Sequence, residues 1–134
     1  MSSKIGAARW LAVLLLTILA ACGRPDGKWI IDRIDDSPAN SPRGVLRADL
    51  DDGSLDVQTG CNGLTGRYVA FAGHVWIFKL SQHLTVCRPG RVMEVEDLLD
   101  DRFAHASTFE RGPDGALVLR TRAGQSITLR ARRS

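Results

Sequence analysis

Leu55-Asp56-Val57-Gln58-Thr59-Gly60-Cys61 alternates strictly, with Leu55, Val57, Thr59 and Cys61 on one parity and Asp56, Gln58 and Gly60 on the other. A period of two sends successive side chains to opposite faces of an extended chain, so this stretch predicts a strand with one buried face and one wet face. Cys61 shares the parity of Leu55 and Val57, which predicts an inward-pointing thiol. The chain then turns through Cys61-Asn62-Gly63-Leu64-Thr65-Gly66. Asn tolerates a left-handed backbone and bonds its own main chain, and glycine eases the bend.

The same reasoning extends in both directions. Upstream, Trp29 to Ile34 predicts an opening strand, Asp35 to Gly44 a loop of turn formers, and Val45 to Leu50 a strand turning at Asp51-Asp52-Gly53. Asp49-Leu50-Asp51-Asp52-Gly53 lacks the later ligands and closing Glu of a calcium loop, so it reads as a hairpin turn. Downstream, Arg67 to Phe71 begins another strand, Ala72-Gly73-His74 turns, and Val75 to Leu80 is apolar on both parities, which predicts a strand covered from two sides. After Pro89-Gly90, Val92, Val95, Leu98, Leu99 and Phe103 recur at helical spacing. Glu94, Glu96, Asp97, Asp100 and Asp101 fall on the other, solvated face, the first three in early turns that favour negative charge. Ala116 to Thr121 and Ser126 to Arg132 close the chain as a hairpin. The expected fold class is α+β with mainly antiparallel pairing, a curled sheet or partial barrel packed around one amphipathic helix.

The first residues decide the compartment. Lys4 and Arg9 precede an apolar run, Trp10 to Leu19, which ends at Ala20-Ala21-Cys22 before the polar Gly23-Arg24-Pro25-Asp26-Gly27. A basic start, a short apolar core and small residues at a cleavage point describe a secretory signal, and the run is shorter than the ~20 residues of a spanning helix. Leu19-Ala20-Ala21-Cys22 resembles the lipobox of bacterial lipoproteins, so residues 1–21 are expected to be a signal peptide and Cys22 to carry lipid. Residues 22–28 then form a tether and 29–133 one domain. Gly23, rather than Asp, after the lipid-bearing Cys resembles the outer-membrane sorting rule of enteric bacteria. The expected location is the bacterial cell envelope, lipid-anchored and facing the periplasm, with the outer membrane favoured over the inner.

Charge removes one class of partner. Two of the 18 Lys and Arg residues lie in the leader, which leaves 16 against 15 acidic residues, no balance for nucleic-acid binding. With Cys22 lipidated, Cys61 and Cys87 remain as an even pair in an oxidising compartment, a candidate disulfide. The alternative is two buried free thiols. Neither has a second Cys or His at ligand spacing, so no metal is expected. His74, His83 and His105 sit in no motif with a nucleophile and an orienting acid, and no catalytic residue or cofactor is expected. Arg120, Arg122, Arg130 and Arg132 occupy the outward parity of the last two strands. They are a candidate contact for an anionic surface, or simply charges that discourage edge pairing.

Gly60-Cys61-Asn62-Gly63-Leu64-Thr65-Gly66-Arg67-Tyr68 resembles the signature of the META (HslJ-like) domain family: a Gly-Cys-Asn turn, then a Gly and an aromatic residue on the next strand. The second Cys (Cys87), the acidic helix from Val92 to Phe103, the hairpin at Leu117 to Leu119 and the opening Trp29-Ile30 follow the family order. The chain departs from the family in having His83-Leu84-Thr85-Val86-Cys87, with Thr two residues before the Cys and no Met between them. The resemblance implies Gly60, Asn62, Gly66 and Tyr68 as motif residues and a curled antiparallel sheet with a helix. It further implies no enzymatic activity and a role among envelope proteins linked to stress, heat shock, motility and antibiotic tolerance. Two functions are therefore expected candidates. One is a non-catalytic, monomeric binding or scaffolding module that meets the membrane through its lipid and engages an unidentified envelope protein. The other is a carrier or chaperone for an apolar ligand, held in the cavity of the curled sheet and lined or capped by the Trp76–Phe78 strand.

Overall fold

The computed structural model describes residues 23–42, 44–82 and 90–133, so the leader, Cys22, His83 and Cys87 lie outside the described residues. In chain order the elements are β1 (Gly27–Ile34), β2 (Ser37–Pro38), β3 (Arg47–Asp51), β4 (Ser54–Gln58), β5 (Leu64–Phe71), β6 (His74–Gln82), α1 (Gly90–Ala104), β7 (Ala106–Arg111), β8 (Leu117–Thr121) and β9 (Ser126–Ala131). The predicted strand at residues 55–61 is β4, but it ends at Gln58, so Cys61 lies beyond the inward row and is half-buried. Gly27 and Lys28, expected in the tether, already pair with β3.

Every pairing is antiparallel, and the sheet closes. Strands β3 to β9 follow one another in sequence order, and β1 pairs with β3 on one side and β9 on the other. Eight strands thus form a complete barrel, with the two-residue β2 attached to the end of β1. Closure removes both sheet edges, which an open curl of this size would have exposed. Tight turns make the hairpins possible. Asp52 and Gly53 both take positive φ between β3 and β4, as do Ala72 and Gly73 between β5 and β6, the backbone hand that suits two-residue hairpins.

The interior is filled. Alternate residues of all eight barrel strands, including Ile31, Leu50, Val57, Leu64, Ile77, Phe109, Leu119 and Leu129, form one buried cluster. A small barrel of eight strands has room for such side chains and little else. Trp76 and Phe78, expected to line or cap a cavity, are not among the fully buried residues of this cluster. Val75 and Ile77 point inward, Trp76 points outward with 70% exposure, and Phe78 is half-buried.

The helix does not sit inside a wrapped sheet; it lies across one mouth of the barrel. Leu99 and Phe103 of α1 join the barrel cluster, while other α1 side chains bond the β4–β5 turn and the turn after β1, both at this mouth. The buried positions are Val92, Glu96, Leu99, Arg102 and Phe103, so Glu96 belongs to the inner stripe and not to the solvated face. The helix starts at Gly90, and no carboxylate falls in its first turn. No described helix is long and apolar enough to cross a membrane.

The opposite mouth is closed by the residues before β1. Pro25 is buried, and its carbonyl accepts from Trp29 Nε1 at 3.1 Å. Tyr68 donates its hydroxyl to Asp26, and Arg111 Nη2 donates to the Arg24 carbonyl at 2.9 Å. The Arg111 guanidinium also stands 4.8 Å over the Trp29 ring. Residues 24–26 therefore run as a strap from β1 toward β5 and β7.

Phe103→Ala should remove a fully buried aromatic ring from the joint between α1 and the barrel and lower stability by about 3–5 kcal/mol. Urea unfolding followed by far-UV circular dichroism measures that loss as a lower midpoint at unchanged slope.

Candidate functional site

The motif turn is organised by one carboxylate. Thr59 continues the inward parity of β4 and is buried, and the chain then bends through Gly60, Cys61, Asn62 and Gly63. Such a bend leaves main-chain N–H groups with no strand partner, and they need an acceptor. Glu96 supplies it. Its Oε1 accepts from the N–H groups of Asn62 (2.9 Å) and Gly63 (3.0 Å) and from the Thr59 hydroxyl, and its Oε2 accepts from Asn62 Nδ2 at 3.0 Å.

Glu96 is 0% exposed. Burial pushes its pKa up, but the bonds from Thr59, Gly63 and Asn62 outweigh that and hold the carboxyl below its ordinary value. It is therefore an ionised group with its lone pairs satisfied. Its donors all come from the motif turn, so the carboxylate ties α1 to that turn. Asn62 meets this carboxylate twice, through its main-chain N–H and its side-chain amide.

Gly63 in the turn and the motif residue Gly66 have separate steric reasons. Gly63 has φ +76, and a Cβ there would stand 2.9 Å from the Val57 carbonyl oxygen. Gly66 lies at a register shift where Thr65 pairs Ser81 and Arg67 pairs Phe78. A Cβ there would press on Leu80 Cδ1 at 3.1 Å and the Phe78 carbonyl oxygen at 3.3 Å. Tyr68 turns inward from β5 and reaches the strap, and burial together with its bond to Asp26 pushes its pKa up to about 12. Cys61 is not a free thiol, and Cys87 lies outside the described residues.

A second ionic joint fixes the other end of the helix. Arg102 forms a two-point pair with Asp35, Nε to Oδ1 at 3.0 Å and Nη2 to Oδ2 at 2.8 Å, and also bonds Asp101. Asp35 Oδ1 accepts from the Ser126 N–H at 3.2 Å. The Arg102 contact leads the causes that lower the Asp35 pKa. Neither residue carried a sequence signal beyond its charge.

The outward surface carries the remaining candidates. In the β8–β9 hairpin Leu117 pairs Leu129 and Arg120 pairs Ser126, so Arg120 and Arg122 sit at one end and Arg130 and Arg132 at the other. The expected basic stripe is split in two. Arg120 pairs with Glu110 at 3.1 Å, Arg130 with Asp32 at 3.7 Å and Arg132 with Asp49 at 3.8 Å. His74 and His105, separate in sequence, border one open groove of about 740 Å³ with Trp76, Ser107, Thr108 and Arg122. His83 lies outside the described residues. Beside the groove, Val69 pairs Trp76 and Arg67 pairs Phe78 on the outer face of β5–β6. Val69 and Trp76 are exposed there, and Phe71 at the turn is 82% exposed. Among the described residues no group of three His, Cys, Asp or Glu is placed to hold a metal ion.

Glu96→Gln keeps the shape but turns an amide NH₂ toward donors, and it should cost about 2–4 kcal/mol at pH 7. Its folded pKa lies below the unfolded value of ~4.3, so the Glu96 contribution is fully present above that value and is lost as pH falls through the folded pKa. Melting temperatures taken from pH 7 down to pH 3 should fall steeply in the wild type and less steeply in the variant.

Solved structures share this architecture. A protein from Burkholderia xenovorans, determined by NMR, superposes with a TM-score of 0.63 at 15% identity, over 81% of this chain and 83% of that one. A second NMR structure gives 0.62 at 14% identity, over 78% and 87%. At such identities the likeness concerns the fold. No curated protein matches the sequence. The META domain profile matches residues 22–134, which takes in the Gly-Cys-Asn turn, the helix that satisfies it and all nine strands. The chain belongs to the META domain family.

Proposed function

We propose that the protein is a non-catalytic, lipid-anchored module of the bacterial cell envelope that works by binding through its outer surface, as a scaffold or adaptor in envelope stress tolerance. The observation that carries this reading is the combination of a packed interior and an apolar exterior. Among the described residues the barrel interior holds one cluster of its own buried side chains, whereas Val69, Phe71 and Trp76 face solvent. Exposed apolar side chains grouped on one strand pair mark an interaction surface more often than scattered single residues do. That favours the binding module over a carrier with a ligand inside.

The anchor is assigned to Cys22 on its sequence context, Leu19-Ala20-Ala21-Cys22-Gly23, with cleavage before the cysteine and export to the periplasm. Two or more acyl chains on one residue give stable anchoring without help from the protein. We assign the partner of Cys61 as Cys87. That bond would tie the motif turn to the segment before α1 and contribute about 3–4 kcal/mol by loop closure.

Cys22→Ala should leave the chain in the soluble or unprocessed fraction after a carbonate wash, whereas the wild type stays with membranes. A mutant that still sediments with membranes sinks the anchor. Intact-mass analysis of the mature protein should show no alkylation by iodoacetamide before reduction and two adducts after it. Adducts before reduction would exclude the Cys61–Cys87 bond.

A further inference from the structure

The apolar exterior is confined. Of the four large hydrophobic residues exposed among the described residues, Val69, Phe71 and Trp76 belong to the β5–β6 hairpin and only Val45 lies elsewhere. The outward positions of β3 and β4 read Arg47, Asp49, Asp51, Asp56 and Gln58, the composition of a wetted wall. On β5–β6 the register sets Val69 opposite Trp76, and the Trp76 and Phe78 rings stand 5.9 Å apart at 53°. The hairpin ends in a two-residue turn with positive φ at Ala72 and Gly73, a tight tip that holds Phe71 outward.

The placement of the anchor gives this surface its occupant. The β5–β6 turn lies at the strap-covered mouth, because both the start of β1 and the end of β5 open there. The strap crosses that mouth: Asp26 is bonded to Tyr68 on β5, and Arg24 to Arg111 at the end of β7. Arg24 is therefore held on the side of β5 to β7, where the hairpin tip is. Cys22 precedes Arg24 by two residues, a reach of at most ~7 Å. An acylated Cys22 would hold this mouth, and no other part of the barrel, against the bilayer.

We infer that the tip and outer face of the β5–β6 hairpin, Val69, Phe71, Trp76 and Phe78, dock into the interfacial layer of the membrane that holds the lipid anchor. Trp is suited to that layer, since its ring is apolar and its N–H reaches polar headgroups. Docking orients the barrel with its strap-covered mouth toward the lipid and α1 away from it. The inference rests on the lipid-anchor reading above, and the test separates the two.

The full mature lipoprotein is reconstituted into phosphatidylcholine vesicles with and without bromine on the acyl chains near the headgroup, then floated on a gradient. Trp10 lies in the leader, so the mature chain carries Trp29 and Trp76. Trp29 is 2% exposed and serves as the internal reference. Co-flotation with at least twofold quenching of emission by shallow bromines, lost in Trp76→Phe and reduced in Val69→Ser/Phe71→Ser, supports docking. An unchanged melting temperature in these variants shows that the loss comes from the surface. Co-flotation with Trp76 unquenched overturns docking and leaves the anchor standing. Concentration-dependent cross-linking of two copies through this face, with Trp76 unquenched, also overturns it. A chain that fails to float overturns both readings.

Discussion

The Glu96 carboxylate decides how the helix and the barrel meet. A carboxylate taken out of water without partners costs several kcal/mol, so α1 can close the mouth only where the donors of Thr59, Asn62 and Gly63 converge on it. Those donors in turn need the left-handed backbone that Gly63 supplies. Each half leaves unsatisfied polar groups without the other. The register of the helix is then fixed, because sliding by one residue rotates each side chain by about 100°. Arg102 makes a second fixed point against Asp35 and, through it, the start of β9. Two ionic joints and the buried Phe103 ring thus define the seating of one helix on eight strands.

Much of the barrel was legible in the sequence where alternation was clean. Leu55 and Val57, Leu117 and Leu119, and Ile127 and Leu129 are all inward, as their parity predicts. Strand β7 was not legible. Ala106-Ser-Thr-Phe-Glu-Arg111 contains one large apolar residue, and a bulge between Ala106 and Thr108 breaks its parity. Closure was not legible either, since the β1–β9 pairing joins the two ends of the domain and no local pattern encodes it. Glu96 was misplaced because it stands in an acidic run, although Val92, Glu96, Leu99 and Phe103 already trace the 4-3-4 spacing of a single stripe. Trp76 was misplaced because Val75 to Leu80 is apolar on both parities, and composition alone does not separate a doubly covered strand from one with an apolar outer face.

Both mouths of the barrel are sealed by chain that is not barrel. At one, α1 contributes Leu99 and Phe103 to the core; at the other, Trp29 bonds the buried Pro25 of the strap while Tyr68 and Arg111 tie the strap down. A barrel filled by its own side chains and stoppered twice has spent its interior on stability. Eight strands of five to nine residues make a modest core, and a small domain needs that interior for stability.

The family motif and the apolar exterior therefore answer different needs. Gly63, Gly66, Asn62 and Glu96 have contacts that shape the motif turn and seat the helix on it. The β5–β6 hairpin fills its share of the barrel with Leu64, Tyr68, Val75 and Ile77, and Ala70 and Leu80 pack against them. Val69, Phe71 and Trp76 add little to that interior, and an exposed apolar face carries a cost in solubility and unwanted association. Polar residues at those positions would keep the same hairpin and the same core. Their presence at the end of the molecule where Arg24 is held is not something the fold itself requires.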